Sequence, residues 1–206
     1  LMSSISNALA NKNMRSVYIQ QNSSLRRSMM RIMPCVAGLF VLAEPIIKCL
    51  FQYGAWTAAS THAVALAIMI QVFALPAMMV SQIYSKTLYA SQDVKTPVRT
   101  SMISLGVAAA LYLILFPFAG YLAIPIGVVI SGYLKNYLLG RACRLRGLVR
   151  HDGRTIRAIA FFAILSAMLG VALWFVPITS IFALFAAIAG YGIIYLPIAY
   201  VIDRKI

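Results

Sequence analysis

The sequence predicts an all-α integral membrane protein, on three observations. Hydrophobic residues make up 62% of the chain while charged residues make up only 11%, where a soluble domain carries about a quarter charged. Apolar runs of about 20 residues, the length needed to cross a roughly 30 Å hydrocarbon core, recur with polar breaks between them. The alternating ten-residue pattern of an outer-membrane barrel is missing, so the spans are helices, which satisfy their own backbone hydrogen bonds where no water can.

Taken in order, spanning helices are expected at 28–51, 61–84, 100–119, 122–140, 158–176 and 180–202. The polar opening "LMSSISNALANKNMRS" has no compact apolar core ahead of a small-residue cleavage site and reads as the end of a preceding helix. The expected organisation is therefore 1–27 as that helix end and its cytoplasmic connection, 28–157 as four helices with a basic loop, and 158–206 as a final helix pair with a short tail. Pro34, Pro45, Pro76, Pro125 and Pro197 fall within spans; each removes a backbone donor and can bend its helix. Gly106/Ala110, Gly127/Ser131 and Ala186/Gly190 are small-residue pairs at four-residue spacing, suited to close helix packing.

Charge orients the bundle. When alternate connections are assigned to one side, every basic residue but Lys48 falls there, including Lys86, Lys135 and the run from Arg141 to Arg157. Lysine and arginine in short loops mark the cytoplasmic face, so both ends of the chain are expected inside. The net charge of +14 then belongs to topology and to contact with anionic membrane lipids, and nucleic acid is not an expected partner.

Few residues offer chemistry. Glu44 is the one carboxylate inside an expected span, and Lys48 follows four residues later on the same helical face, which makes the two a candidate intramembrane ion pair. His62 and His151 have no partner at a useful spacing, and Cys35, Cys49 and Cys143 lie far apart with no CxxC or Cys/His pattern. No catalytic residue, metal site or cofactor is expected, and an enzyme has little to rest on.

Two polar islands stand out: "LFQYGAWT" at 50–57 and, one span later, "LYASQDVKTPV" at 88–98. By local chemistry the second is a tight turn. Tyr89 suits an interface, Asp93 can accept from nearby backbone donors, and Pro97 fixes the chain ahead of the next helix, expected from Thr100. Together, the two islands, their separation by one span and their opposite-side placement resemble the MurJ/MviN family of lipid II flippases, within a larger exporter superfamily. The family carries an LF-x-x-G-x-(F/W)-T outer loop and a Y-(A/S)-x-Q-D-x-(K/R)-T-P cytoplasmic loop. On this chain the matching positions are Gly54 and Thr57, then Tyr89, Gln92, Asp93, Lys95, Thr96 and Pro97.

The resemblance implies the C-terminal part of a fourteen-helix, two-lobe transporter of the bacterial cytoplasmic membrane. It covers the end of the eighth helix and the ninth to fourteenth. It implies lipid II as substrate, moved between leaflets by alternating access, and a partnering N-terminal lobe that carries the family's cavity arginines outside this chain. By the same resemblance the final helix pair borders a groove for the lipid tail. Cell-wall synthesis proteins are candidate partners, and coupling to an ion or to the membrane potential is an open expectation. A related polysaccharide-lipid or drug exporter and a non-transporting membrane scaffold are the alternatives.

Overall fold

The computed structural model describes residues 2–11, 13–51, 53, 57–150, 152–174 and 181–205. They form helices α1 (Met2–Ala10), α2 (Met14–Phe51), α3 (Ala58–Gln71), α4 (Ala74–Ala90), α5 (Lys95–Ala119), α6 (Ala123–Leu145), α7 (Gly153–Trp174) and α8 (Ile181–Lys205). Among the described residues there is no strand. Membrane-length apolar windows lie in Met14–Phe51, Ala58–Ala90, Lys95–Leu145 and Gly153–Trp174, and a shorter apolar stretch in α8 covers Ile188–Val201. Over its described residues each expected span thus falls on a helix, with residues 175, 176 and 180 of the last two spans outside them, and the boundaries shift for physical reasons.

The first span was expected to start at Ser28, but its helix starts at Met14, fourteen residues earlier. The extension is amphipathic: Val17, Gln21 and Leu25 are buried, and Asn13 caps it by accepting from the Ser16 N–H at 3.1 Å. Ile5 and Ala8 of α1 pack on Val17 and Ala90. Gln21 donates to Thr87 Oγ1 at 3.1 Å, so a buried amide is satisfied by α4.

The second span is a broken pair, α3 and α4, joined at Val72 and Phe73. Pro76 has no N–H for the Val72 carbonyl, which accepts from Leu75 at 3.1 Å instead and bends the path. At the other end, Thr57 caps α3 by accepting from the Ser60 N–H at 3.2 Å. Pro125, by contrast, lies in the first turn of α6, where the missing donor costs no intrahelical bond.

The third and fourth spans are one helical hairpin. Gly120, at φ 53°, reverses the chain through a 3-10 turn, a backbone setting that favours glycine. A Cβ on Gly127 would sit 2.4 Å from the Tyr112 ring, and Ser104 donates across to the Ser131 carbonyl at 2.8 Å. The pair Gly127/Ser131 therefore packs as its spacing suggests. Gly106/Ala110 does not: both are exposed, and nothing lies within 4 Å of a Cβ built on Gly106. A Cβ on Gly190 likewise meets open space, while the side chain of Ala186 lies outside the described residues.

α7 runs parallel to α2 and packs closely on it, with a Cβ on Gly170 falling 3.3 Å from Ala37. α8 returns antiparallel to α7: Tyr195 and Ala199 bury against Ala158 and Phe162, and Tyr191 donates to the Ser166 carbonyl at 3.2 Å. Large apolar side chains point outward on the hairpin and on α7. Phe118 is 87% and Leu113 80% exposed, an arrangement that suits a hydrocarbon solvent rather than water.

Candidate functional site

The polar island at 88–98 builds two helix ends at once. α4 closes with a 6→1 bond from the Asp93 N–H to the Leu88 carbonyl at 2.9 Å and a 5→2 bond from the Gln92 N–H to the Tyr89 carbonyl at 3.0 Å. Gln92 sits between them at φ 63°, in the left-handed region that usually takes glycine. Asp93 then opens α5, its Oδ1 accepting from the Thr96 N–H at 3.1 Å.

Pro97 is a correction to the sequence expectation. It lies inside the first turn of α5, which starts at Lys95 rather than Thr100, and it is fully buried. A proline is tolerated there because first-turn donors have no intrahelical partner. Lys95 is exposed at the same helix start, and Tyr89, the next-to-last residue of α4, is half-buried.

A partner from α6 closes the turn. Arg146 Nη1 donates to Asp93 Oδ2 and forms an ion pair with it, while Arg146 Nη2 donates to Thr96 Oγ1 at 3.1 Å. Desolvation pushes the Asp93 carboxyl up, but the Thr96 hydrogen bonds and the Arg146 guanidinium outweigh it and hold the group below its ordinary value of 3.8. Arg146 itself ends α6, and Gly147 follows at φ 65°.

Alongside this turn, α4 and α5 splay apart over α6 and leave a cavity of about 560 Å³. Ser81, Ser85, Ser101, Ser104, Ser131 and Gln82 line it, together with Lys86 and Lys135. Ser101 donates to the Pro97 carbonyl at 2.9 Å, whereas Ser81 Oγ is buried with no protein partner. Lys135 lies ten residues inside the end of α6, about 15 Å along the helix. Two ammonium groups and a row of hydroxyls in a membrane bundle are costly unless they meet polar matter. The arrangement can hold an anionic or polyhydroxylated group, and no group of three or more metal-ligating side chains occurs among the described residues.

The other motif residues are separate from this cavity. Thr57 is the α3 cap, at the far end of the bundle from the α4–α5 turn. Gly54 lies outside the described residues. Glu44 and Lys48 are both exposed, and no ion pair within 4.0 Å joins them; the pair formed among the described residues is Asp93–Arg146. Exposed charges one turn apart gain only about 0.2–0.5 kcal/mol by pairing, too little to fix two long side chains.

Two apolar cavities flank α2. One, of about 730 Å³, lies between α2 and α7 and includes Phe40, Phe73 and Trp174; the other, of about 440 Å³, lies between α2, α7 and α8 beside Tyr191 and Tyr195. Sequence reasoning missed Arg146 and the paired lysines. Arg146 stands 53 residues from Asp93, beyond any local pattern, and Lys86 and Lys135 were counted only as topology signals. The available hint was a lysine inside the apolar stretch 122–140.

A sequence model of the family "Lipid II flippase MurJ" matches residues 1–191. A probable lipid II flippase MurJ of Rhizobium meliloti is 29% identical over 174 residues, 84% of this chain and 32% of that protein. One from Vibrio cholerae is 30% identical over 142 residues, 68% of this chain and 27% of that protein. The chain thus spans about a third of the length of these curated relatives. A solved lipid II flippase MurJ in an inward closed conformation superposes with a TM-score of 0.80 over 99% of this chain and 42% of that one, at 18% identity, which establishes the shared fold. With the two polar islands, the order of the helices and a family match over nearly its whole length, this multi-pass membrane chain belongs to the MurJ family.

Proposed function

We propose that this chain forms most of the C-terminal lobe of a lipid II flippase, which moves the diphosphate-linked peptidoglycan precursor from the inner to the outer leaflet. The observation that carries this reading is the family match over residues 1–191. In it, an N-terminal lobe completes the transporter, the membrane is the bacterial inner membrane, and both ends of the chain face the cytoplasm, as the basic loops suggest. The protein acts as a transporter and not as an enzyme.

The physical need is clear. A headgroup with a diphosphate, sugars and a peptide cannot cross hydrocarbon unaided, because burying unpaired charge costs many kcal/mol. A polar, cationic surface lowers that barrier, and two lobes rocking about a central site avoid a continuous leak. The hydroxyl-lined cavity with Lys86 and Lys135 offers such a surface within this lobe. The apolar cavities beside α7 and α8 suit a polyprenyl tail.

The test is complementation. Expressed with its complete reading frame in bacteria depleted of their own flippase, the protein should restore lipid II at the outer leaflet, read by an externally added modifying enzyme. Combining Lys86→Ala with Lys135→Ala should cut that signal at least tenfold at unchanged protein level, since even one charge-assisted contact is worth about that much. Failure of the wild type to restore outer-leaflet lipid II, with the protein present in the membrane, would sink the proposal.

A further inference from the structure

At the end of the bundle that carries the α4–α5 turn, on the flank where α2 meets α7, a pocket of about 590 Å³ is lined by Arg15, Tyr18, Asn22 and Arg26 of α2 and by Arg150, Asp152 and Arg154 across from them. Besides Arg26, three arginines, Arg15, Arg150 and Arg154, share the space with one carboxylate. Asp152 turns towards the backbone, its Oδ1 accepting from the Arg154 N–H at 3.3 Å. Arg15, Arg150 and Arg154 form no ion pair among the described residues.

The walls are held by neutral groups. Tyr18 donates to the Gly147 carbonyl at 2.6 Å, and Asn22 donates to the Arg150 carbonyl at 2.9 Å. These bonds fix the α6–α7 connection against the α2 extension without spending a guanidinium on it. The start of α7, a helix of 22 residues, adds the positive end of its dipole to the same space. Cations gathered in this way repel one another, and an anion between them removes the repulsion.

We infer that this pocket binds the phosphate of an anionic phospholipid headgroup. Guanidinium groups match phosphate geometry with paired donors. The surroundings favour a lipid over a soluble anion: Thr155 of the pocket stands just ahead of the apolar part of α7, and Ile156 and Ile164 on that helix are 59% and 61% exposed. An acyl chain leaving the headgroup would run along these residues, where a free phosphate would leave them bare. The site is separate from the cavity holding Lys86 and Lys135 and shares no residue with it.

The test uses the purified protein in nanodiscs of phosphatidylcholine with increasing phosphatidylglycerol, with retained lipids counted by native mass spectrometry. The wild type should retain phosphatidylglycerol preferentially. Replacing two of the exposed arginines, Arg150→Ala with Arg154→Ala, should lower that preference about thirtyfold, since a direct guanidinium–phosphate pair at an exposed site is worth up to roughly fivefold. Arg99→Ala with Arg141→Ala, which removes equal charge away from the pocket, should leave it nearly unchanged; Arg15→Ala alone gives a milder check if the double variant misfolds. Equal loss in the control pair would assign the effect to bulk charge and overturn the site. So would equal retention of the two lipids by the wild type, or displacement of phosphatidylglycerol by millimolar inorganic phosphate.

Discussion

Two helix ends in this protein have the same backbone and different chemistry. α4 and α6 both finish with paired 6→1 and 5→2 hydrogen bonds, from Asp93 to Leu88 and Gln92 to Tyr89 in one, and from Leu148 to Cys143 and Gly147 to Arg144 in the other. The left-handed position is glutamine in the first and glycine in the second. The residue after it is an aspartate that caps the next helix in the first. In the second it is a buried leucine packed on Tyr84, Leu88 and Cys143. One end is held by polar bonds and the other by apolar contact. The ion pair from Arg146 to Asp93 ties the two together. A polar turn in a membrane protein can thus have a structural use, with the Asp93 carboxylate and the Thr96 hydroxyl both committed to helix ends.

The contrast can be broken most strongly at Asp93. Asp93→Ala removes the α5 cap and the ion pair together and should cost about 2 kcal/mol of stability in detergent, of which about 1 is the cap and the remainder an ion pair weakened by the exposure of Arg146. Arg146→Ala should cost about half as much, because the cap survives. Thermal scans of the two variants and of the double variant would show it; purely additive losses would mean that the pair contributes nothing. Selective loss of lipid binding in Asp93→Ala at wild-type stability would show instead that the turn contacts substrate.

Gly147→Ala should cost about 1–2 kcal/mol, from the left-handed backbone alone, since nothing lies within 4 Å of the added methyl group. A thermal scan unchanged from wild type would mean that the α6 end had simply unwound. Acid offers a smaller effect. The folded carboxyl of Asp93 lies below its ordinary value of 3.8, so its contribution is complete above that value and is lost as pH falls through the lower, folded one. Stability measured from pH 7 to 5 should carry no step from this group, and the Asp93→Asn variant should lose the decline seen in strong acid. The smallest change is Gln92→Gly, which should stabilise the α4 end by up to about 1 kcal/mol by relieving the backbone. A loss there would show that the exposed amide makes a contact the strain supports.

Much of this was legible in the residues. The apolar runs locate the helices, Asp93 announces itself as an acceptor for nearby backbone donors, and the spacing of Gly127 and Ser131 marks a close helix approach. Boundaries were less legible where polar residues continue a helix. Ser28 reads as a start because Arg26 and Arg27 look like loop, although Val17, Gln21 and Leu25 keep a helical stripe buried beside α1 and α4. Pro97 reads as lying just ahead of α5 and is a first-turn residue of it. Meetings of distant segments, Asp93 with Arg146 or Lys86 and Lys135 in one cavity, depend on which helices become neighbours, and no local pattern specifies that. The glutamine at φ 63° had no signal, since glycine is the residue that such a position announces.

The length of α2 has a mechanical consequence. Its 38 residues make a rod of about 57 Å, nearly twice the hydrocarbon thickness. On the stretch before Pro34 this rod is bolted to three separate connections: to α1 through Val17, to α4 through Gln21, and to the α6–α7 loop through Tyr18 and Asn22. Beyond Pro34, where one internal hydrogen bond is missing, it runs between the two apolar cavities. The near half is therefore clamped by hydrogen bonds as well as packing, while the far half is an arm held by apolar packing alone, with Ala37 and Val41 against Gly170 of α7, and the fulcrum lies at the proline. A tilt of about 10° at that point would sweep the arm's tip through roughly 5 Å, given about 1.5 Å of rise per residue, while the clamped end stays still.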